Sequence, residues 1–259
     1  IERRELPADI GLVMLDEAHS SSYFAVWSKI MATYSKGLLF KSPCFFLGLT
    51  ATPYRTNKKQ GFCQFFQVAI QGATDRELMK DGFLTQTRIF AYETSLDEKA
   101  LEIDASGDYT ASSLIKACND EYLSDVANRL KTLYADKKTI IFTSDVNGCE
   151  SLSQKLNDLG LKSKAIHSKT PSAEKDTIFE AFDKNEIRFL VSVAMLTEGF
   201  DQPDIEVVVI ARPTRSLAAF KQMAGRGLRL SPGKEECLLL DFGNCVQNFQ
   251  SKDKISDLF

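Results

Sequence analysis

The sequence predicts a parallel α/β fold, with one complete doubly wound domain preceded by part of another. Short apolar runs alternate along the chain with stripes of apolar residues at helical spacing. Several of the runs are continuously apolar, as expected of strands that are buried on both faces. The alternation is densest from about residue 137 to residue 241. Strands that alternate with helices in this way indicate a parallel sheet.

The predicted strands are the apolar runs Ile10–Leu15, Cys44–Leu49, Thr139–Thr143, Lys164–Ile166, Phe189–Val193, Ile205–Ile210 and Cys237–Leu240. Helical stripes run from Tyr23 to Tyr34 and from Cys149 to Leu159, the second ending before Gly160 as a C-cap. Thr170 and Pro171 predict the N-cap and first residue of another helix.

These elements divide the chain into four predicted segments. Residues 1–92 form the C-terminal part of a first domain, because only two clear strands precede residue 52. Residues 93–136 are polar and weakly patterned, which is typical of a connecting segment with short helices. Residues 137–250 form a complete second domain, and residues 251–259 form a tail.

Composition excludes several classes of protein. Of 259 residues, 44% are hydrophobic and 26% charged, close to the average for globular domains and unlike disordered or fibrous chains. A net charge of −3 excludes a basic protein that coats nucleic acid, although it permits one basic groove. Six cysteines without a Cys-x-x-Cys pair favour reduced thiols in the cytoplasm. We expect no membrane association, since no apolar run is long enough to span a bilayer.

The first group of candidate functional residues is Asp16-Glu17-Ala18-His19, which directly follows a predicted strand. A carboxylate at the C-terminal edge of a parallel strand is well placed to face a ligand. Asp16 is suited to hold a hydrated Mg²⁺, and Glu17 to deprotonate a water that attacks a phosphoryl group. An acidic turn that caps the next helix explains the same four residues equally well.

Polar turns follow two other predicted strands. Thr50 and Thr52 flank an alanine before Pro53, and their hydroxyls are suited to couple a nucleotide site to a neighbouring surface. Gly199 permits close approach of the backbone, and Asp201 is suited to accept from a ribose hydroxyl or from a facing domain. Ordinary turns and loops between strands remain the alternative for both segments.

The last group lies in Gln222–Arg229, with the sequence QMAGRGLR. Arg226 and Arg229 are three residues apart, so on one helical turn both guanidinium groups project from the same face. Two such forked cations suit a polyphosphate. The alternative is a solvated basic patch.

In this order the four groups resemble motifs II, III, V and VI of superfamily 2 helicases. Residues 16–19 match a DEAH box, residues 50–52 match the TAT of motif III, and residues 222–229 match Q-x-x-G-R-x-x-R. Ile140–Thr143 resembles motif IV. The strings LGLTATPYR, LTEGFDQP and MAGRGLRL resemble RadD-type bacterial repair helicases, and UvrB-like and restriction-enzyme motor subunits share parts of them.

The resemblance implies two RecA-like domains, one partial and one complete, that close on ATP. It implies Mg²⁺ bound by Asp16, Glu17 as the base, and Arg226 and Arg229 as arginine fingers. Further roles follow from the motifs: nucleotide binding by Gly199, Asp201 and Gln222; coupling by His19, Thr50 and Thr52; nucleic-acid contact by Ser144, His167, Ser192 and Thr197. The implied partners are DNA, single-stranded or with a single-stranded/duplex junction, and repair proteins.

One departure from the family pattern changes the expected activity. The 259 residues contain no G-x-x-x-x-G-K-[ST] sequence, and only 15 residues precede Asp16. A phosphate-binding loop with its strand and helix does not fit in that space. Together with Ile at position 1, this predicts a helicase fragment that hydrolyses ATP weakly by itself. A non-catalytic nucleic-acid-binding module derived from a helicase, or the motor subunit of a restriction enzyme, remains an alternative.

Overall fold

The computed structural model describes residues 10–18, 24–35, 44–52, 66–193 and 201–251. The chain divides into two compact units, Ile1–Gly72 and Ala73–Phe259. Both contain parallel sheets, as the sequence predicts. Among the described residues, no helix combines the length and the apolar character that crossing a bilayer requires.

Within its described residues, the N-terminal unit contains a two-stranded parallel sheet and one helix: β1 (Leu12–Leu15), α1 (Phe24–Ser35) and β2 (Phe45–Gly48). Leu12 pairs with Phe45 at the start of the register. Gly48 lies under a packed layer, because a Cβ there would lie 2.6 Å from Cζ of Phe66 and 3.0 Å from Cβ of Ala18. Both strands lie within the predicted apolar runs.

The C-terminal unit contains a six-stranded parallel sheet in the order β3-β8-β7-β4-β6-β5. The strands are β3 (Gln86–Ala91), β4 (Thr139–Thr143), β5 (Ser163–Ile166), β6 (Phe189–Ser192), β7 (Val207–Ala211) and β8 (Glu236–Asp241). The helices are α2 (Asp75–Lys80), α3 (Ala111–Ala117), α4 (Asp120–Leu133), α5 (Val146–Asp158), α6 (Ser172–Asp183), α7 (Leu217–Gly225) and α8 (Cys245–Ser251).

Helices cover both faces of this sheet, which gives it two hydrophobic layers. Alternate residues of one strand enter opposite layers, so Ile140 packs in the layer of α6, α7 and α8, whereas Ile141 packs in the layer of α4 and α5. This arrangement explains why the central strands are continuously apolar, and it confirms the predicted doubly wound architecture.

The boundaries of the C-terminal unit differ from the predicted ones. Residues 73–92 were expected in the first domain, but β3 pairs with β8 at the edge of the large sheet. Residues 93–136 were expected as a connecting segment, but Tyr122, Val126 and Leu130 of α4 are buried in the core. Polar residues on the outer faces of β3 and α4 hide this packing from a search for apolar runs.

The end of α5 agrees with the predicted C-cap, whereas the N-cap of α6 lies one residue after the predicted one. Gly160 follows α5 with a φ of +79°, as expected after a helix C-terminus. Helix α6 begins at Ser172, with Pro171 rather than Thr170 at the N-cap position. The hydroxyl of Thr170 instead accepts a hydrogen bond from the backbone N–H of His167. Residues 252–259 of the predicted tail lie outside the described residues.

A buried lysine closes the amino-terminal edge of the large sheet. Lys138 donates to Oδ2 of Asp204 at 2.7 Å, and its ammonium lies 4.7 Å from the centroid of the Phe182 ring. Burial raises the pKa of Asp204, but the hydrogen bonds from Lys138 and Gln202 outweigh it and hold that pKa below the usual value. The pair therefore stabilises the fold while Asp204 is ionised.

Replacing Asp204 with Asn should lower the free energy of unfolding by about 1–2 kcal/mol at pH 7, because it leaves the buried ammonium without its counterion. The cost is below that of a fully buried pair, since the Asp204 side chain is 37% exposed. Because the pKa of Asp204 is lowered by folding, the difference should shrink as the pH falls below about 4. Urea unfolding of the wild type, Asp204→Asn and the exposed-site control Asp176→Asn measures this. Equal stability of both variants at pH 7 would contradict it.

Candidate nucleotide and nucleic-acid sites

In the N-terminal unit, the turns that follow β1 and β2 lie side by side. The carboxyl ends of paired parallel strands meet at one edge, so Asp16 after β1 and Thr50 after β2 share that edge. The N–H of Leu49 donates to the carbonyl of Leu15 at 2.8 Å, and the N–H of Ala18 donates to the carbonyl of Leu49 at 2.9 Å. Two backbone hydrogen bonds thus hold the expected motif II and motif III turns together.

Asp16 and Glu17 occupy a tight turn. Asp16 is exposed, and its Oδ1 accepts the backbone N–H of Glu17 at 2.9 Å. Glu17 has a φ of 47°, a left-handed conformation that is uncommon for residues other than glycine and is often found at functional sites. One exposed carboxylate fits a Mg²⁺ held mainly by nucleotide phosphates. No cluster of three potential metal ligands occurs among the described residues. His19 lies outside them.

The threonines of the second turn differ in their surroundings. Oγ1 of Thr50 accepts the backbone N–H of Thr52 at 3.0 Å, so one hydroxyl fixes the shape of the turn. The hydroxyl of Thr52 is buried and has no hydrogen-bond partner among the described residues.

In the C-terminal unit, the segment Arg226–Arg229, here called the arginine loop, follows α7. Gln222 lies in the last turn of α7, Arg226 caps the helix, and Arg229 lies beyond it. The expectation that both arginines share one helical turn is therefore not met. The loop is tightly packed at Gly227, because a Cβ there would lie 2.2 Å from Sγ of Cys237.

The structure brings together Asp201 and Arg229, which the sequence assigns to different motifs. Nη1 of Arg229 donates to Oδ1 of Asp201 at 2.7 Å. The side chains are 38% exposed for Arg229 and 77% exposed for Asp201, so this ion pair contributes at most about 1 kcal/mol. A ligand can replace it at little cost. Gly199 lies outside the described residues.

Two residues that the sequence analysis did not select hold the arginine loop. Nζ of Lys234 donates to the carbonyls of Pro203, Gly227 and Arg229 at 3.0, 2.7 and 3.0 Å. Burial lowers the pKa of Lys234. From the other side, Thr85 donates through its N–H to the carbonyl of Leu228 and through its hydroxyl to the carbonyl of Arg229, both at 2.8 Å. The residues in contact are up to 144 positions apart in the sequence, so no local sequence pattern predicts these contacts.

The expected nucleic-acid contacts lie along one edge of the large sheet. Ser144 follows β4, Ser192 ends β6 and His167 follows β5, and these three strands are neighbours. Ser144 is half-buried and donates to Sγ of Cys118 at 3.2 Å. Thr197 lies outside the described residues.

The other two side chains at this edge are less accessible. Ser192 is buried, and its hydroxyl has no partner among the described residues. His167 is also buried, and its Nε2 lies 3.1 Å from Oε1 of Glu150. The structure therefore brings the three residues to one edge but exposes only Ser144 there.

Comparison with known proteins shows what the chain is similar to. Residues 121–231 match the helicase conserved C-terminal domain. The chain resembles superfamily 2 helicases. It is 29% identical over 228 residues to a 51.5 kDa protein of a Lactococcus phage. This match covers 88% of the chain and 48% of that protein. It is 28% identical over 243 residues to a Saccharomyces cerevisiae protein named as an ATP-dependent helicase, IRC3, covering 90% of the chain and 34% of that protein.

A solved structure supports the fold of the helicase-like chain along most of its length. A fragment of an HsdR subunit of a type I restriction enzyme from Vibrio vulnificus matches with a TM-score of 0.66 and 25% identity. The match covers 94% of this chain and 45% of that one. The expected resemblance to superfamily 2 helicases and the RecA-like fold are confirmed. The helicase-like chain spans about half or less of these relatives.

The close packing at Gly227 gives a testable consequence. Gly227→Ala should lower the free energy of unfolding by about 1–3 kcal/mol, because the added methyl overlaps Cys237 and Val208. Gly225→Ala is the matched control, since a Cβ at Gly225 would have no atom within 4 Å and lies at the end of α7. The control should be neutral or stabilising by up to about 1 kcal/mol. Thermal and urea unfolding of the two variants measure the difference in stability. Equal losses of stability in Gly227→Ala and Gly225→Ala would contradict the close packing at Gly227.

Proposed function

We propose that the helicase-like chain is part of an ATP-dependent DNA helicase or translocase that acts in DNA repair in the cytoplasm. The observation that carries the proposal is the joining of separate motifs at strand ends. Ala18 and Leu49 join the turns of motifs II and III, and Asp201 and Arg229 join motifs V and VI. A shared phosphate-bearing ligand accounts for both pairs of motifs together, whereas the alternatives explain each turn separately.

The proposed reaction is attack of water on the γ-phosphorus of ATP, with ADP as the leaving group. When Mg²⁺ is bound, Asp16 would hold it and the ion would neutralise charge on the phosphates, while Glu17 would accept the proton of the attacking water. Arg226 and Arg229 stabilise the charge that develops on the transferred phosphoryl group, a contribution worth about a thousandfold or more in rate. Gly199, Asp201 and Gln222 bind the nucleotide, while His19, Thr50 and Thr52 relay its state.

The proposed nucleic-acid partner is single-stranded DNA or a single-stranded/duplex junction. Ser144, His167, Ser192 and Thr197 mark the proposed path, which follows the carboxyl edge of β4, β6 and β5. Contacts there are mainly to phosphates, so binding tolerates different sequences and weakens with salt. Because Ser192 and His167 are buried, Ser144 is the residue that we expect a DNA strand to contact first at this edge.

A second candidate function is a motor subunit of a restriction enzyme. The similarity to the HsdR fragment, which covers 94% of the chain, is the observation that favours it. Both functions use the same ATP chemistry. They differ in the partner: a restriction motor works with nuclease and site-recognition components, whereas a repair motor acts with repair proteins.

The 259-residue chain should hydrolyse ATP weakly, because it contains no phosphate-binding loop sequence. Steady-state release of phosphate in the presence of single-stranded DNA measures this, with Glu17→Gln as the comparison. We expect turnover close to that of Glu17→Gln. Robust turnover that depends on Glu17 would contradict the expectation and would place full catalysis within these residues.

The proposed DNA edge is tested with the chain itself. Ser144→Glu should weaken binding to fluorescent single-stranded DNA about fivefold, because a carboxylate near a phosphate costs about 1 kcal/mol. Ser124→Glu is the matched control, since Ser124 is also half-buried but lies on α4. Binding of the wild type should weaken steadily between about 50 and 200 mM salt. Equal affinity of the two variants, or no binding by the wild type, would rule out this edge as the DNA site.

A further inference from the structure

Lys234 is placed to control the shape of the arginine loop. It follows Arg229 by five residues, in the turn before β8. An ammonium has three donors and no acceptor, and here the Lys234 amine donates to three backbone carbonyls. Its hydrogen-bonding capacity is therefore satisfied by the backbone alone, although partial burial disfavours the charge.

The three carbonyls belong to two segments that are distant in sequence. Gly227 and Arg229 lie in the arginine loop, whereas Pro203 ends the segment that begins with Asp201. One amine thus joins the end of motif V to the backbone of motif VI. The Lys234 amine makes three charge-assisted hydrogen bonds at a partly buried position, whereas the Asp201–Arg229 pair is exposed and screened by water, so the Lys234 junction holds the two segments more strongly.

Thr85 completes the support from the opposite side of the loop. Its hydroxyl and the Lys234 amine both donate to the carbonyl of Arg229, at 2.8 and 3.0 Å. Thr85 is buried in the turn that precedes β3, the strand that pairs with β8. The backbone that carries Arg229 is therefore held between two donors that belong to no recognised motif.

We infer that Lys234 is a positioning residue for phosphoryl transfer: together with Thr85, it fixes the arginine loop against the segment Asp201–Pro203. The inference rests on the proposed function, since Arg226 and Arg229 act on the phosphoryl group only there. Positioning within about 1 Å matters for such chemistry, and misplacement costs as much as a hundredfold in rate.

The first measurement is amide hydrogen exchange of the chain, followed by mass spectrometry. Lys234→Met keeps most of the length of the side chain and removes its donors. It should accelerate exchange in peptides that cover residues 201–203 and 226–230, and leave peptides of β4, β5 and β6 unchanged. Lys184→Met is the control, because Lys184 is exposed and lies 3.5 Å from Glu180 on the same face of α6.

The second measurement is ATP hydrolysis. It uses the natural length of the protein at which the wild type hydrolyses ATP. Lys234→Met should lower kcat about tenfold or more and change KM for ATP less than about threefold, because the substrate still binds while the transition state loses its aligned arginines. Thr85→Val should lower kcat in the same direction. The double variant should fall short of the product of the two single effects, since both donors act on one carbonyl.

The outcomes are distinct. Faster exchange confined to the two segments, with a loss of kcat, supports the inference. Exchange like that of Lys184→Met, or acceleration spread over the whole unit with KM and kcat changed together, would overturn it. If the wild type hydrolyses no ATP at any natural length, the proposed function fails. The exchange pattern of Lys234→Met and Thr85→Val still decides whether these residues fix the loop.

Discussion

Parallel pairing of strands is the constraint on which the candidate sites depend. Every pair within the two described sheets is parallel, so the loops that follow the strands emerge at one edge of each sheet. Residues far apart in sequence are thereby brought to the same edge: Asp16 and Thr50 in one unit, Ser144 and Ser192 in the other. The chemistry is therefore arranged by backbone hydrogen bonds, and the functional side chains need only occupy the first positions after each strand.

The turn after α7 follows a different rule, because it is shaped by contacts of the backbone with residues outside the motif. Gly227 is tightly packed, and donors from other segments hold the carbonyls of Gly227 and Arg229. The guanidinium groups of Arg226 and Arg229 are thus carried on a backbone whose course the arginines do not determine. The residues that hold the loop are therefore different from the arginines that it carries.

Strand positions could be predicted from the sequence where both faces of the sheet are covered. Strand β4 has the predicted bounds, because each of its residues is buried and the run is continuously apolar apart from its threonines. Strand β3 was missed because it lies at an edge and carries Arg88, which pairs with Glu236 of β8. The motifs gave the candidate site residues, but Lys234 and Thr85 act through long-range contacts to carbonyls, which leave no trace in local spacing.

The edge position of β3 also sets a limit on where the C-terminal unit can be shortened. Strand β8 is flanked by β7 on one side and by β3 on the other, so it is an interior strand only while residues 86–91 remain attached. If proteolysis between residues 91 and 139 released β3, β8 would be paired with β7 alone and its other side would be bare. The bared backbone of an apolar strand would then be a template for pairing between molecules, and self-association would follow.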